Sequence, residues 1–308
     1  MRFAVYSDSG RAEHTDNDIH KNILRGMYAQ DPKPDFVLHC GDVVNTGRNP
    51  ILWDQYINMI DDPYCDQWPF FFTLGGHDRP VSQWSHRLST PHTYYSFDWG
   101  KHLHFLMVDT TTENRTYWKK NGEQYTWLKE DIESTAASPD SHWMFVCQHE
   151  PRFSSGWSGC VETTYDLAEL YGERRDVAAI FQGHDHNYER MGPFGGPGTS
   201  PVWYLIGGGG QELNIRRFRD AWSKKYLMKF HFLIVDVLDE RTVKFKTIEY
   251  DDPDRILDRT SVDAEAPLTA DPKMPSCISE SQPDDYKLVP FFFLMFLLAM
   301  LFGVSAFY

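Results

Sequence analysis

The sequence predicts a mixed α/β sandwich, and three observations lead to it. The chain has 308 residues, of which 41% are apolar, so one large domain can bury a full core. Apolar, strand-like runs alternate with amphipathic helical patterns in the first half of the chain. In the second half, predicted strands increasingly follow one another directly. This combination is typical of mixed sheets that are covered by helices.

The first half of the chain begins with a predicted strand at residues 2–7, followed by a helix at 18–30 with its apolar side chains on one face. A Pro-rich turn ends this helix. Later predicted strands lie at 35–40 and 69–74, on either side of a helix at 50–60. Alternating patterns at 93–98 and 102–109 then predict an antiparallel pair.

The second half contains predicted helices at 123–137 and 162–171, and predicted strands at 143–148, 177–181 and 201–206. A hairpin at 229–238 and 242–250 closes the predicted domain. We therefore place one domain at residues 1–250. Residues 251–287 are rich in Asp, Pro and Ser, which predicts a linker.

The C-terminal segment predicts a hydrophobic helix at residues 288–308 and a single membrane anchor. Residues 291–308 carry no charge and are about long enough to cross one bilayer. Two interpretations are open. If Met1 is the true start, the strand predicted at residues 2–7 leaves no room for a signal peptide. A tail anchor would then leave the domain on the cytoplasmic face. A removable lipid-anchor signal would place it in the secretory pathway or at the cell surface, and needs a signal upstream.

The net charge limits the kinds of molecule that the protein is expected to bind. The formal net charge of −14 argues against a basic nucleic-acid-binding surface. It leaves a phosphate substrate possible, because bound cations invert the local field.

Cys40 and Cys147 lie in apolar runs and are expected to be buried thiols. Cys65 and Cys160 lie in predicted loops and are able to pair in an oxidising compartment.

Two histidines, His184 and His186, follow the apolar run at 177–181. Gly183 allows the chain to turn there, so that both imidazoles can face one cluster. Imidazole is a common ligand of zinc, iron and manganese. A lone His-x-His also occurs in ordinary polar loops, so this triplet carries weight only together with other ligands.

Other predicted strand ends supply such ligands, namely Asp8, Asp42, His77 and His149. Each of them alone would be interpreted as a turn residue, a helix cap or a buried structural histidine. Sites in open α/β sheets form at the carboxyl ends of strands. The joint pattern therefore favours a two-metal site in which a carboxylate bridges both ions.

Taken in order, these motifs resemble the calcineurin-like metallophosphoesterase superfamily, and most closely its purple acid phosphatase-like branch. The resemblance covers about residues 2–250. The motifs are Ser7-Asp8-Ser9-Gly10, Gly41-Asp42, Gly75-Gly76-His77-Asp78, Val146-Cys147-Gln148-His149 and Gly183-His184-Asp185-His186. The resemblance implies a two-sheet sandwich flanked by helices, with a dinuclear centre of iron paired with iron, zinc or manganese.

The resemblance also implies a role for each site residue. The implied metal ligands are Asp8 and His186 at the first metal, His149 and His184 at the second, and Asp42 between the two. His77 would bind no metal. It would stabilise the charge of the phosphate or protonate the leaving oxygen. A hydroxide that bridges the metals would attack the phosphorus of a phosphate ester, with a monoester favoured.

Three positions depart from the family pattern. Gly10 stands where the family has a His, and Asn45 where the purple branch has a Tyr. Gly76 stands where the family has an Asn ligand. Each metal is then expected to keep three protein ligands and to bind less tightly, and no purple colour is expected. These departures also motivate an alternative hypothesis, a membrane-tethered pseudoenzyme or binding protein on the same fold.

Overall fold

Two β-sheets form the centre of the structure. The computed structural model describes residues 1–10, 18–61, 67–90, 92–111, 119–140, 143–161, 164–218, 220–270 and 273–275. Within these residues, one sheet has six strands and the other has seven. Helices accompany both sheets, so the predicted mixed α/β class is confirmed.

The first sheet has the strand order β13-β12-β11-β1-β2-β3. Its strands are β1 (Arg2–Tyr6), β2 (Val37–His39), β3 (Phe70–Phe72), β11 (His231–Val237), β12 (Thr242–Glu249) and β13 (Asp252–Asp263). The strands β1, β2 and β3 run parallel, whereas β11, β12 and β13 are joined as an antiparallel meander. The strand β1 pairs with β11 and connects the two parts.

The second sheet has the order β10-β8-β9-β7-β6-β5-β4. Its strands are β4 (Tyr95–Trp99), β5 (Leu103–Val108), β6 (Trp143–Gln148), β7 (Val177–Gln182), β8 (Tyr188–Met191), β9 (Val202–Ile206) and β10 (Ser223–Leu227). The central strands β5, β6, β7 and β9 run parallel. The outer strands pair antiparallel on both sides.

The five described helices are α1 (Asp18–Tyr28), α2 (Pro50–Ile60), α3 (Val81–Leu88), α4 (Glu123–Ala137) and α5 (Tyr165–Tyr171). The first three pack on the outer face of the first sheet, and the last two on the outer face of the second. The central strands are therefore apolar on both faces. In β1, Phe3 and Val5 enter the core between the sheets, whereas Ala4 and Tyr6 face the helices. This two-sided burial explains why the central strands are continuous apolar runs.

Three short elements escaped the sequence prediction. The helix α3 has one fully buried side chain, Trp84, and its pattern is too short to stand out. The strand β8 contains Glu189, which is buried because it accepts hydrogen bonds from the Ser155 amide (2.8 Å) and hydroxyl (2.6 Å). The strand β10 is only partly buried and pairs with β8. Tertiary contacts determine all three.

The predicted linker at 251–287 is wrong in its first part, because residues 252–263 form the strand β13. Its polar composition hides a long-range pairing with β12. One apolar side chain, Val262, reaches the core between the sheets. Asp258 accepts hydrogen bonds from Arg190 (2.7 Å) and from the Tyr188 hydroxyl (2.8 Å). The sheet therefore extends past the domain boundary that we predicted at residue 250.

The hydrophobic helix that we predicted at 288–308 lies outside the described residues. Among the residues that the structure does describe, no helix is long and apolar enough to cross a membrane. The predicted buried thiols of Cys40 and Cys147 are confirmed. Cys160 is disulfide-bonded, and Cys65, the partner that we considered, lies outside the described residues.

Candidate metal centre

The carboxyl ends of parallel strands from both sheets meet at one edge of the sandwich, where the chain turns sharply. Asp8 follows β1, Asp42 follows β2, and His184 follows β7. All three have left-handed backbone conformations, with φ values of 59°, 52° and 74°. Left-handed backbone at residues other than glycine is strained and clusters at functional sites. The turns place these side chains where the two sheets meet.

Asp42, His149 and His184 form one compact group. One ligand atom from each lies within 4.8 Å of the other two. The Asp42 and His149 side chains are buried, and His184 is half-buried. The two imidazole rings meet edge to face, with their centroids 5.3 Å apart. Carboxylate oxygen and imidazole nitrogen at this spacing form a donor set that zinc and iron accept.

The hydrogen bonds of His149 fix which of its nitrogens faces the group. Nδ1 lies 2.8 Å from the Cys40 carbonyl oxygen and donates to it. Nε2 is buried, has no hydrogen-bond partner and lies 3.4 Å from Asp42 Oδ2. In the neutral ring, a nitrogen lone pair then faces a carboxylate oxygen. Only a cation between or beside them, a proton or a metal ion, makes this arrangement favourable.

The pKa values of the group agree with this geometry. Burial alone would lower the pKa of His149, but the negative charge of Asp42 outweighs it and raises the pKa to about 10. In the same way, burial would raise the pKa of Asp42, but the adjacent His149 charge holds it well below its usual range. Burial lowers the pKa of His184 to about 4, which keeps that ring in the neutral form that binds metals.

Asp8 and His186 form a pair next to this group. His186 Nε2 lies 3.7 Å from Asp8 Oδ1. His186 Nδ1 donates to the Glu212 carbonyl oxygen at 2.7 Å, so Nε2 is the nitrogen left to face Asp8. Asp8 also accepts the His184 amide at 3.0 Å and 3.1 Å. Burial raises the pKa of Asp8 well above its usual range, and the negative charge of Asp42 adds to this effect.

His77 lies at the mouth of the site, with its side chain 55% exposed. Its amide donates to Asp42 Oδ1 at 2.8 Å, and its Nδ1 donates to the Asn45 carbonyl oxygen at 2.9 Å. Its Nε2 is 4.0 Å from Asp42 Oδ2. The structure thus gathers the predicted site residues at one edge, as a three-ligand group, a pair and a histidine at the mouth.

The position of Gly10 is closed to any larger residue. A Cβ there would lie 2.3 Å from the Val44 carbonyl carbon and 2.4 Å from the Asn45 amide nitrogen. The Gly10 amide donates to the Asp42 carbonyl oxygen at 3.2 Å and holds the two loops together. The missing histidine is therefore replaced by a close approach of two backbone segments.

The position of Gly76 is open. A Cβ added there meets no atom within 4 Å, and its φ is outside the left-handed region. Its neighbour Gly75 differs, because a Cβ there would lie 1.9 Å from the Asp42 amide nitrogen. The chain thus lacks the Asn ligand at Gly76 although the structure has room for one.

Two aspartates that we assigned no role hold the loops of the site in place. Asp78 is buried and accepts the Val44 amide at 3.1 Å and the Gly75 amide at 2.9 Å, which joins the loops after β2 and β3. Asp185 accepts the Ser158 hydroxyl at 2.7 Å. Both aspartates stand next to a predicted site histidine in the sequence, but nothing in the pattern shows which backbone amides they bind.

The donor set fits a metal ion at Asp42, His149 and His184, since a buried nitrogen without a partner and a buried carboxylate face the same space. The Asp8 and His186 pair offers two further ligands beside it. Within the described residues, these two do not join the compact group. The arrangement therefore provides one complete three-ligand site and a less complete neighbour.

Comparisons with known proteins point to one family. The sequence model of the calcineurin-like phosphoesterase family matches residues 1–188. Purple acid phosphatase 21 of Arabidopsis thaliana is 25% identical over 246 residues, covering 72% of this chain and 53% of that protein. Other matched Arabidopsis proteins are named probable inactive purple acid phosphatases. The chain spans less than two thirds of the length of the first curated relatives that it matches.

Solved structures share the fold. The purple acid phosphatase PPD1 of yellow lupin (Lupinus luteus) has a TM-score of 0.73 at 20% identity, over 90% of this chain and 56% of that chain. GAP50, the anchor in the inner membrane complex of Plasmodium, has a TM-score of 0.68 at 19% identity, over 88% of this chain and 91% of that chain. The resemblance read from the motifs is confirmed: this chain belongs to the calcineurin-like phosphoesterase family.

Proposed function

We propose that this protein is a metal-dependent phosphoric ester hydrolase, an acid phosphatase-like phosphomonoesterase. The observation that carries the proposal is the group of Asp42, His149 and His184, whose ligand atoms lie within 4.8 Å of one another. The buried His149 Nε2 without a partner supports a cation in that space. Family membership and the acid phosphatases among the matched proteins favour a phosphate monoester as the substrate.

The proposed dinuclear centre is asymmetric. Asp42, His149 and His184 would hold one ion, and Asp8 with His186 would hold the other, with Asp42 between them. We propose iron paired with iron, zinc or manganese, all of which accept imidazole and carboxylate ligands. Bound ions would supply positive charge to the phosphate and would lower the pKa of a water molecule.

His77 supplies the proton chemistry in this proposal. The Asn45 carbonyl oxygen accepts the Nδ1 hydrogen, so the exposed Nε2 faces the substrate. When both ring nitrogens carry a hydrogen, Nε2 can donate its proton to a phosphate or to the leaving oxygen. The hydrogen bond from the His77 amide to Asp42 Oδ1 holds this ring beside the proposed ions. His77 thus remains within reach of the substrate without being needed as a ligand.

The direct experiment is the metal content of the purified chain, measured by elemental analysis, with Asp42→Asn as the matched variant. Asp42→Asn preserves the shape of the side chain but removes its charge. We expect one to two ions per chain in the native protein, lost together with phosphatase activity in the variant. A native chain that binds no iron, zinc or manganese after reconstitution would overturn the proposal.

A second candidate function is a membrane-tethered binding protein that uses the fold without hydrolysis. The closed position of Gly10 favours it, since no ligand can be accommodated there. The fold is also shared with GAP50, a protein described as an anchor. This candidate predicts an intact fold with no turnover of any phosphate ester at full metal loading. Partner binding would then be unaffected by Asp42→Asn.

We further propose that residues 288–308 attach the protein to a membrane. The uncharged sequence at 291–308 supports this, and the disulfide bond of Cys160 favours an oxidising compartment over the cytoplasmic face. Flotation with phosphatidylcholine vesicles tests the attachment. The full chain should float and a chain ending after residue 282 should not; equal behaviour of both would exclude the tail as the anchor.

A further inference from the structure

Trp157 is a large aromatic side chain left in water, with 64% of its surface exposed. It lies in the loop at 154–159, which follows β6 and His149 in the chain. A tryptophan normally buries most of its ring, since burial of large apolar side chains is favourable. An exposed ring beside a candidate centre therefore points to a binding role.

The loop that carries Trp157 is fastened to the histidine loop of the site. Asp185, between the two site histidines, accepts the amide of Ser158 at 3.1 Å and its hydroxyl at 2.7 Å. It also accepts the Ser154 hydroxyl. These hydrogen bonds lie on both sides of Trp157 in the sequence. The ring is thus held at the rim of the centre rather than on a loose loop.

Arg217 covers one side of this ring. Its guanidinium carbon lies 4.3 Å from the centroid of the Trp157 ring, and its Nη1 donates to the Trp157 carbonyl oxygen at 3.3 Å. The backbone amides of Arg217 and Phe218 both donate to the Ser155 carbonyl oxygen. Among the residues that the structure describes, the guanidinium of Arg217 contacts the Trp157 ring, the Trp157 carbonyl oxygen and the Phe218 ring. Its charge is available to an anion.

The segment that carries Arg217 is also fastened to the site. Asn214 Oδ1 accepts the His186 amide at 2.8 Å, and the Asn214 amide donates to the His186 carbonyl oxygen at 2.8 Å. Arg217 follows three residues later. Both members of the Trp157–Arg217 pair are therefore positioned from the same histidine loop, on one side of the centre.

We propose that Trp157 and Arg217 form a subsite for the leaving group of the substrate, and that this group carries a planar ring and an anion, as a nucleotide does. The open face of Trp157 stacks on the ring, and Arg217 pairs with a second phosphate. Arg217 places a positive charge beside this ring, in a molecule with a net charge of −14. The leaving-group role rests on the proposed hydrolase function.

The test compares three phosphate monoesters on the metal-loaded full chain: glycerol 2-phosphate, adenosine 3′-monophosphate and adenosine 3′,5′-bisphosphate. We expect Trp157→Ala to lower kcat/KM about tenfold for the two adenosine esters, and by less than about twofold for glycerol 2-phosphate. Trp157→Phe should recover most of the loss. Arg217→Gln should weaken the bisphosphate more than the monophosphate.

Leu238→Ala and Arg241→Gln are matched controls, since both lie at the turn between β11 and β12, at the opposite end of the sandwich. They should change no substrate preference. An equal loss on all three substrates in Trp157→Ala would overturn the subsite while leaving the hydrolase function intact.

A titration of adenosine 5′-monophosphate by calorimetry separates the two proposals. If no ester is hydrolysed, the proposed hydrolase function is wrong. The titration still tests the subsite, because it measures binding and does not require hydrolysis. Binding that is weakened in Trp157→Ala and retained in Leu238→Ala supports the subsite. Equal binding by the native chain and Trp157→Ala overturns it.

Discussion

Gly10 and Gly76 both stand where related proteins are expected to have a metal ligand. The two positions differ in whether the structure has space for a side chain. At Gly10, the backbone of Val44 and Asn45 fills the space that a side chain would need. At Gly76, the space is empty and the backbone is compatible with an ordinary residue. The packing of the two loops prevents a ligand side chain at Gly10. At Gly76, a single substitution can restore a ligand side chain.

We expect Gly76→Asn to raise metal affinity by about tenfold or more, because it adds an oxygen ligand at an open and unstrained position. Calorimetric titration with manganese or zinc measures this directly. Gly76→Ala is the control, since it adds a Cβ without a ligand atom. Equal affinities of the Asn and Ala variants would show that this position does not face the ions.

His77→Ala should lower turnover of a phosphate ester by about 100-fold or more while metal content stays unchanged. The reason is that the ring lies at the mouth of the site, whereas the hydrogen bond to Asp42 comes from the backbone amide and survives the substitution. Turnover and elemental analysis are measured on the same sample. Loss of metal in the variant would assign His77 to the ligands instead.

Among the elements, β4, β5 and α4 meet at one histidine. His104 of β5 lies between Asp98 of β4, at 2.7 Å from Nδ1, and Asp131 of α4, at 3.0 Å from Nε2. Burial alone would lower the pKa of His104, but the hydrogen bonds and charges of Asp131 and Asp98 outweigh it and raise the pKa. The charged ring thus links the edge strand β4 to its neighbour β5 and holds the helix α4 against the same sheet.

The contact of His104 with Asp98 and Asp131 predicts that the free energy of unfolding depends on pH. Because the pKa of His104 is higher in the folded than in the unfolded chain, its contribution is fully present below the ordinary pKa of 6.5 and is lost as the pH rises through the raised value. Urea unfolding of the native chain and of His104→Gln from about pH 5.5 to about pH 8.5 measures it. The native chain should lose its advantage over the variant with rising pH; a constant difference would contradict the assignment.

For the whole molecule, the extent of the first sheet decides where the folded domain ends. The strand β13 completes this sheet beyond β12 and places Val262 in the core between the sheets. Asp258 of the same strand binds Arg190 of β8. Since β8 belongs to the second sheet, this strand stabilises both layers.

A chain that ends after residue 250 should therefore be less stable than one that ends after residue 275, by at least about 2 to 3 kcal/mol. The first reason is the lost burial of Val262, and the second is the buried polar groups left without Asp258. Thermal or urea unfolding of the two chains measures the difference. Equal unfolding midpoints of the two chains would show that β13 does not stabilise the folded domain.

Much of the fold is determined by local sequence. The apolar runs of the central strands are readable because both of their faces are buried, and the Asp and His residues directly after them mark the edge where a site can form. The motif order from Asp8 to His186 was sufficient for the family. Elements such as β13 were not readable, because their stability comes from pairing with β12 rather than from a pattern of their own.

The division of the site was decided by the tertiary structure alone. The motifs place six residues at strand ends, but only the packing of the two sheets makes Asp42, His149 and His184 one compact group, with Asp8 and His186 beside it. The sequence shows a glycine at both Gly10 and Gly76. Whether a glycine fills a contact or leaves a gap depends on atoms brought near it from distant parts of the chain, and no local pattern records them.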